Sequence, residues 1–460
     1  MNRTLPLVLT AALLLTACAS AAPAQPNAAA TSPSAAASSP LQPDAAASSP
    51  TQPDAAASTP SQPAAETSAP PLTPKFPVGH LLTLPQNQNS CPVWNTGDAL
   101  YELRDASSMT PEALILKTDY AALTQSVYCS IPGCTHDSDA CPAYLASDFC
   151  VGVMAVDGTV YTYPSELTNV APTQIYRIDP VAGKTPVAAV PDALPHHMQL
   201  QWCDEYALYG CPLAARHQPG TLYRWDWQND TVQTIPMLAD ESIIACEGSR
   251  FLTIRIEANE PFPNFGSTEQ EKAILAHAVY VYAWLDPATG AREKICTRPY
   301  ADGYFHNYYD GRIYYTGNFR NADTPGQQAA LLYFDTADGT EKTLLETIPF
   351  DTYGIDVCEP FSPAFAGVPQ RYLHVLNAGD TYADYLLDME TGDVLPAPAV
   401  TAEGVRRPAL LACTASGQWL TTTNPRDSYD PQYSLYALWD PADFLADGQP
   451  AAWVTMYAAE

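Results

Sequence analysis

Positive charge is scarce in this chain: 21 Lys and Arg stand against 50 Asp and Glu, a formal net charge of −29. Binding to a phosphate backbone draws on Lys and Arg that release condensed counterions, so nucleic acid is excluded as a partner and an anionic membrane surface is a poor one. Long helical periodicity is missing too, the segment from Thr268 to Ala276 being the best short exception. Beyond the N-terminal apolar run, no stretch approaches the roughly 18 apolar residues of a membrane-spanning helix. The sequence also has no Ser nucleophile elbow, no His-Glu-x-x-His and no Gly-rich phosphate loop, so no motif names a reaction.

What is present first is an address. An apolar run from Leu5 to Ala17 follows Asn2-Arg3 and ends in Leu15-Thr16-Ala17-Cys18, a bacterial lipobox at the end of a signal-peptide core. It predicts that residues 1–17 are removed and that Cys18 is lipidated, so that two or three acyl chains hold the mature protein to the outer face of the cell membrane. Residues 18–75 then turn to Ala, Pro, Ser, Thr and Gln, with near-copies every ten residues at Ala35–Asp44, Ala45–Asp54 and Ala55–Ala64. Such a composition buries too little apolar surface to offset its ordering entropy and reads as a disordered tether. Spaced proline stiffens it toward polyproline II, with an upper reach of about 170 Å at ~3.1 Å per residue.

Residues 76–460 carry short runs of Tyr, Val, Ile, Leu and Trp separated by Asp-Gly, Thr-Gly, Pro and Asn clusters, which is strand-and-turn punctuation. A turn leading into an apolar strand recurs seven times, at Gly97–Tyr101, Asp157–Tyr161, Glu205–Tyr209, Ser249–Thr253, Asp310–Tyr315, Gln370–His374 and Gly417–Leu420. A strand running into an aspartate recurs six times, at Ile175–Asp179, Leu222–Asp226, Val281–Asp286, Leu332–Asp335, Tyr385–Asp388 and Leu435–Asp440. A repeat near 50 residues with four strands per unit closes most economically as an all-β propeller, because radial closure leaves only short, protected edges. Seven blades follow from the seven hairpins, and six if the section before Cys150 is an irregular closure. The aspartates read as structural turn residues, since Asp bonds its own backbone where a following Gly takes positive φ.

These alternating strands resemble the TolB-like, YVTN-like and PQQ-like propeller repeats over most of residues 90–460, a resemblance that implies the architecture and no reaction. The PQQ-type repeat has more regular Trp and Gly positions than this chain, so a quinone cofactor is not expected. Cys129-Ser130-Ile131-Pro132-Gly133-Cys134-Thr135-His136 is similar to a Cys-x-x-Pro-x-Cys-x-His motif of surface lipoproteins of Gram-positive anaerobes, and brings no activity with it.

With Cys141, that motif is the densest chemical cluster in the sequence. Three thiolates and an imidazole, at Cys129, Cys134, His136 and Cys141, suit a tetrahedral structural zinc. A secreted location favours the competing reading, one or two disulfides among Cys129, Cys134, Cys141 and Cys150, and free or redox-active thiols are the third reading. Of twelve cysteines, lipidation of Cys18 leaves an odd number and one thiol unpaired in a monomer, the expected state. Cys203, Cys246, Cys358 and Cys413 fall at comparable places in successive repeats and read as small buried hydrophobes. A second candidate site is aromatic: Tyr304, Phe305, Tyr308 and Tyr309 crowd one repeat and could stack on a sugar or grip a peptide, although alternation along a strand also accounts for them. The expectation is a cell-surface lipoprotein whose propeller binds a partner protein or a glycan. The rival readings are an extracytoplasmic hydrolase or lyase on the same scaffold, and a structural or sensor domain of an envelope complex.

Overall fold

The computed structural model describes residues 75–84, 93–105, 112–146, 150–168, 173–212, 216–262, 268–300, 305–317, 330–346, 355–356, 371–377, 383–396, 409–423, 435–446 and 448–457. The lipobox, the tether, Cys91, Cys358 and Tyr304 lie outside the described residues. Within them the chain forms seven consecutive antiparallel sheets, over residues 93–145, 151–189, 198–239, 241–299, 305–345, 355–396 and 409–453. Each sheet is built on four strands in sequence order, the first with Tyr144–Leu145 and the third with Leu82–Thr83 and Glu166–Leu167 added, and together they make a β-propeller. The section before Cys150 is a sheet of its own.

Each of the seven recurring hairpins supplies the second strand of one blade, and the six strand-to-aspartate elements supply the third strands of blades two to seven. Blade one has Ala113–Asp119 in that place, without the tyrosine. Its continuous run Ala-Leu-Ile-Leu is buried on both faces, whereas the rim strand Thr124–Val127 alternates exposed and buried, as one wetted face requires.

Turn chemistry fixes the register. Asp157-Gly158 (φ 49° and 73°) and Asp310-Gly311 (φ 47° and 72°) form two-residue hairpin turns whose left-handed backbone matches the twist of the strands. In the outer hairpins, Asp179, Asp226, Asp286, Asp335 and Asp388 each accept a backbone N–H two or three residues further on, so the aspartates are structural turn residues. A short helix, Thr268–Leu275, sits where the sequence has its best helical stretch.

Neighbouring blades meet through side chains. Tyr161 packs edge-on to Trp227, Trp202 to Phe251, Trp284 to Tyr308, and Tyr372 to Trp419, at successive seams with ring centroids 5.1–5.5 Å apart. The Tyr314 hydroxyl donates to the Met389 carbonyl at 2.7 Å across the fifth seam. The first and last blades close the ring around a buried carboxylate, Glu102, which is 2% exposed. Its Oε2 accepts from the Tyr436 hydroxyl at 2.6 Å, and its Oε1 accepts from Arg104 and Gln125 at 3.1 Å each. Backbone bonds between Gln125 and Thr455, and between Ala415 and Gly97, complete that seam.

A strap formed by residues 75–84 fastens blades three and four. Its N–H groups reach Ala288 and Gly248 carbonyls and the Asp204 and Glu205 carboxylates. Leu82–Thr83 then pairs antiparallel with the inner edge of Met198–Cys203. Leu81 and Leu84 are buried. Arg224, fully buried, donates to the Pro77 carbonyl and lies 4.6 Å from the Phe76 ring centroid.

Two outcomes follow. Tyr436→Phe removes a donor from a buried carboxylate and lowers unfolding free energy by about 1–3 kcal/mol, while Glu102→Ala strands Arg104 and costs about 3–5 kcal/mol; denaturant melts showing both variants at wild-type stability would mean the seam is not held there. The second concerns acid. Burial opposes ionisation of Asp388, but two bonds from Arg371 (2.9 and 2.6 Å) and backbone N–H donors outweigh it and hold the carboxyl below its usual range. A depressed native value gives stability that is present above the unfolded carboxylate pKa of about 3.9 and is lost as pH falls through the native one. Asp388→Asn therefore lowers stability at neutral pH and flattens its decline below about pH 4, as read by urea midpoints across that range.

Candidate metal centre

The four ligand-type residues sit on an excursion from the rim strand of blade one. Strand Thr124–Val127 pairs with residues 116–119, and Tyr144–Leu145 resumes the same rim against Ala113 and Leu114. Both ends of the excursion close on one residue: the Tyr128 N–H donates to the Ile115 carbonyl, and the Ile115 N–H donates to the Ala143 carbonyl. A loop closed at both ends is a compact unit, here a knuckle. Within it Pro132-Gly133 makes the tight turn, with Gly133 at φ 75° and the Cys134 N–H bonded to the Ile131 carbonyl. His136, at φ 60°, turns the chain again, a conformation non-glycine residues adopt seldom.

These turns bring Cys129, Cys134, His136 and Cys141 together, with all four ligand atoms within 4.8 Å of one another. His136 Nδ1 is 3.3 Å from Cys141 Sγ. A tetrahedral zinc with Zn–S of about 2.3 Å and Zn–N of about 2.0–2.1 Å needs ligand-to-ligand edges of roughly 3.5–3.8 Å. The donor set thus fits a metal such as zinc with small movements. A Cys₃His set would supply all four ligands of such an ion. Burial pushes the Cys141 thiol up to about 12, so its thiolate is costly without a cation beside it. Cys134 is shifted the other way, chiefly by the His136 backbone N–H.

Cys129, Cys134 and Cys141 carry free thiols here, gathered round a common point rather than paired. Cys150 stands apart, its Sγ 4.0 Å from Glu166 Oε2 and from Thr168 Oγ1, so the expected disulfide partner does not join the cluster. Cys203 is buried, as the sequence predicts, whereas Cys246 and Cys413 are only half-buried.

Of the aromatic candidates, the structure describes the side chains of Tyr308 and Tyr309. Tyr308 is 5% exposed and packs on Trp284 inside the seam between blades four and five, where it has no face left for a ligand. Tyr309 is half-buried, and its hydroxyl donates to Glu390 Oε1 at 3.0 Å, tying blade five to blade six. Burial and that carboxylate push its hydroxyl up to about 12. Phe305 lies in the strand Phe305–Tyr309, and Tyr304 lies outside the described residues. Seam contacts take the Tyr308 ring and the Tyr309 hydroxyl.

A polar cluster that sequence reasoning missed lies at the end of the ring where the longer connections run. The His217 Nδ1 bonds the Asp240 carboxylate at 2.9 and 3.0 Å, and its ring stacks on Phe262 at 4.0 Å. Arg216 beside it pairs with Glu271 of the helix. His217 and Asp240 are distant enough in sequence that no spacing motif marks them.

No family model matches the chain, and no curated protein sequence matches it. Solved structures that resemble it include the β-propeller domain of the trilobed protease from Pyrococcus furiosus, with 10% identity and a TM-score of 0.43 over 78% of this chain and 96% of that one. Pyrococcus horikoshii acylaminoacyl peptidase gives 11% identity and a TM-score of 0.41 over 78% of this chain and 51% of that one. An oligogalacturonate lyase in complex with manganese gives 13% and 0.35 over 63% and 73%. The likeness is in fold alone.

Zinc analysis of protein purified without chelator should give about one ion per chain, as a four-ligand Cys₃His set binds one. Cys134→Ser and His136→Ala should each lower that content and the melting temperature. Full zinc occupancy in both variants would place the ion elsewhere.

Proposed function

We propose that this chain is a lipid-anchored surface receptor: Cys18 holds it to the outer face of the cell membrane, residues 19–74 act as a tether, and the propeller binds a secreted protein or a glycan. In this reading the knuckle holds a structural zinc. One observation carries the proposal. The strap that continues the tether is bonded to the Asp204–Glu205, Gly248 and Ala288 turns, all at the end of the ring where the short hairpin turns lie. The longer connections, including the helix Thr268–Leu275 and the braced His217–Asp240–Phe262 cluster, lie at the opposite end. Loops positioned by a rigid scaffold are where binding residues concentrate, and an attachment at the far end leaves them open to ligand. The acidic surface favours cationic or neutral ligands over phosphate-rich ones.

Membrane fractionation tests the anchor: Cys18→Ala should release the protein from the membrane, and an unmodified N-terminus at any other residue would refute it. Screening the mature protein against glycans and secreted peptides tests the rest. Captured ligand should be lost on His217→Ala, which perturbs the long-loop end, and kept on Val181→Asp, which alters an exposed rim turn. Turnover of the ligand instead of simple capture would favour the hydrolase or lyase reading.

A further inference from the structure

We propose that the knuckle is a redox-gated clasp between the first two blades, in which a hydroperoxide converts two of the three thiolates of Cys129, Cys134 and Cys141 to a disulfide, expels the zinc and releases the second blade. This rests on the zinc reading above and adds regulation to it.

The geometry that carries it is the way the clasp grips. Its hold on blade two consists of the Ser130 N–H on the Pro180 carbonyl at 2.8 Å, and Lys184 Nζ on Asp139 Oδ1 at 2.8 Å and on the Tyr144 carbonyl at 2.7 Å. Ser130 adjoins Cys129, and Asp139 lies between His136 and Cys141, so two of the three grips are placed by the ligands themselves. Zinc holds sulfurs roughly 3.8 Å apart, whereas a disulfide needs about 2.05 Å. Closing that gap draws two ligands together and leaves the third sulfur and the imidazole without an ion, and the backbone between them must shift. Ser130, Pro132, Gly133, Thr135 and the run Asp137–Ala140 are exposed, so a dissolved oxidant reaches the cluster from outside. By contrast, burial holds the thiols of Cys203, Cys211 and Cys246 well above their ordinary value, which keeps them as unreactive thiols.

The chemistry balances. Attack of one thiolate breaks the O–O bond of the hydroperoxide and gives a sulfenic acid and an alkoxide or hydroxide, which takes a proton from water. The second thiolate displaces hydroxide from the sulfenic sulfur, and this too is protonated, so two thiolates lose two electrons and the peroxide becomes alcohol and water. The Zn²⁺ is not oxidised or reduced; it leaves as the hydrated ion, and the third sulfur and His136 return to solvent or to protons. A dithiol reductant with zinc reverses the step.

The test uses the mature protein loaded with one equivalent of zinc and titrated with hydrogen peroxide, while a chromogenic chelator reads free zinc, a thiol reagent counts sulfhydryls, and melting temperature is followed. The expected result is zinc freed in step with the loss of two thiols, a disulfide mapped by mass spectrometry within residues 129–141, a lower melting temperature, and recovery of all three with dithiothreitol and zinc. Lys184→Ala should lower the melting temperature of the zinc form and shrink the further drop on oxidation, with zinc uptake unchanged. Zinc retained at peroxide levels that oxidise free cysteine, first oxidation at Cys203, Cys211 or Cys246, or zinc loss without a change in melting overturns the clasp while leaving the metal reading intact. Failure to take up zinc at the outset overturns both.

Discussion

Adjacent blades of a propeller share almost no backbone ladder, so the ring stands on the side chains that fill the seams between them. Within a blade, antiparallel pairing satisfies the backbone; between blades, cohesion comes from buried aromatic area and a few charge-assisted bonds. The seam that matters most is the one where the chain's two ends meet, because no connecting segment holds it together. Here that seam is built round Glu102, with Tyr436 and Arg104 as partners and the residues around Thr455 laid beside Thr124.

The outer rim shows a second regularity. Cations join neighbouring blades there: Lys184 takes Asp139 and the Tyr144 carbonyl of blade one, Arg292 takes the Pro236 carbonyl of blade three together with Glu241 of its own blade, and Arg298 takes Glu341 of blade five. Arg298 also lies 3.6 Å from the Tyr315 ring centroid, so one guanidinium serves a carboxylate and an aromatic face together. The first of these joints differs from the others because the carboxylate sits on the knuckle rather than on a strand. A lysine on a flexible stem, reaching a carboxylate placed by a loop, is a weak joint unless the loop is itself held. The four converging ligands are what can hold it.

What was legible in the sequence was what is local. A turn residue acts on its own neighbours, so Asp-Gly and the Asp-to-Gly spacing of Asp286–Gly290 and Asp335–Gly339 announced hairpins that the structure contains. The missing strand-to-aspartate copy in blade one is equally local, since Ala113–Asp119 lacks the tyrosine that marks its counterparts. What was not legible joins residues remote along the chain. Tyr436 and Glu102 are separated by 334 positions and Arg224 and Pro77 by 147, and nothing in either segment names the other. The strap was hidden for the same reason, as Leu81 and Leu84 look like two apolar residues at the end of a linker until the inner edge of blade three is beside them. The cysteine cluster falls between these cases. Its members were found by spacing, but zinc and disulfide require the same residues, so spacing alone did not show that an imidazole and three sulfurs converge. A ring that stacks on a sugar and a ring that fills a seam look identical in sequence, and Tyr308 fills a seam.

The scarcity of positive charge and the seams are connected. With 21 basic residues against 50 acidic ones, the protein repels itself, and repulsion of that kind favours expansion. Two of the cations it has are committed to pairs shielded from water: Arg224 is fully buried beside Asp226, which is 9% exposed, and the Arg104 and Glu102 side chains are 10% and 3% exposed. A pair largely out of water is screened little by salt, whereas the surplus carboxylates on the surface are screened strongly within a Debye length of about 8 Å at physiological ionic strength. Added salt therefore weakens the repulsion more than it weakens the joints. The ring is held by attraction placed where salt acts least, and opposed by repulsion placed where salt acts most.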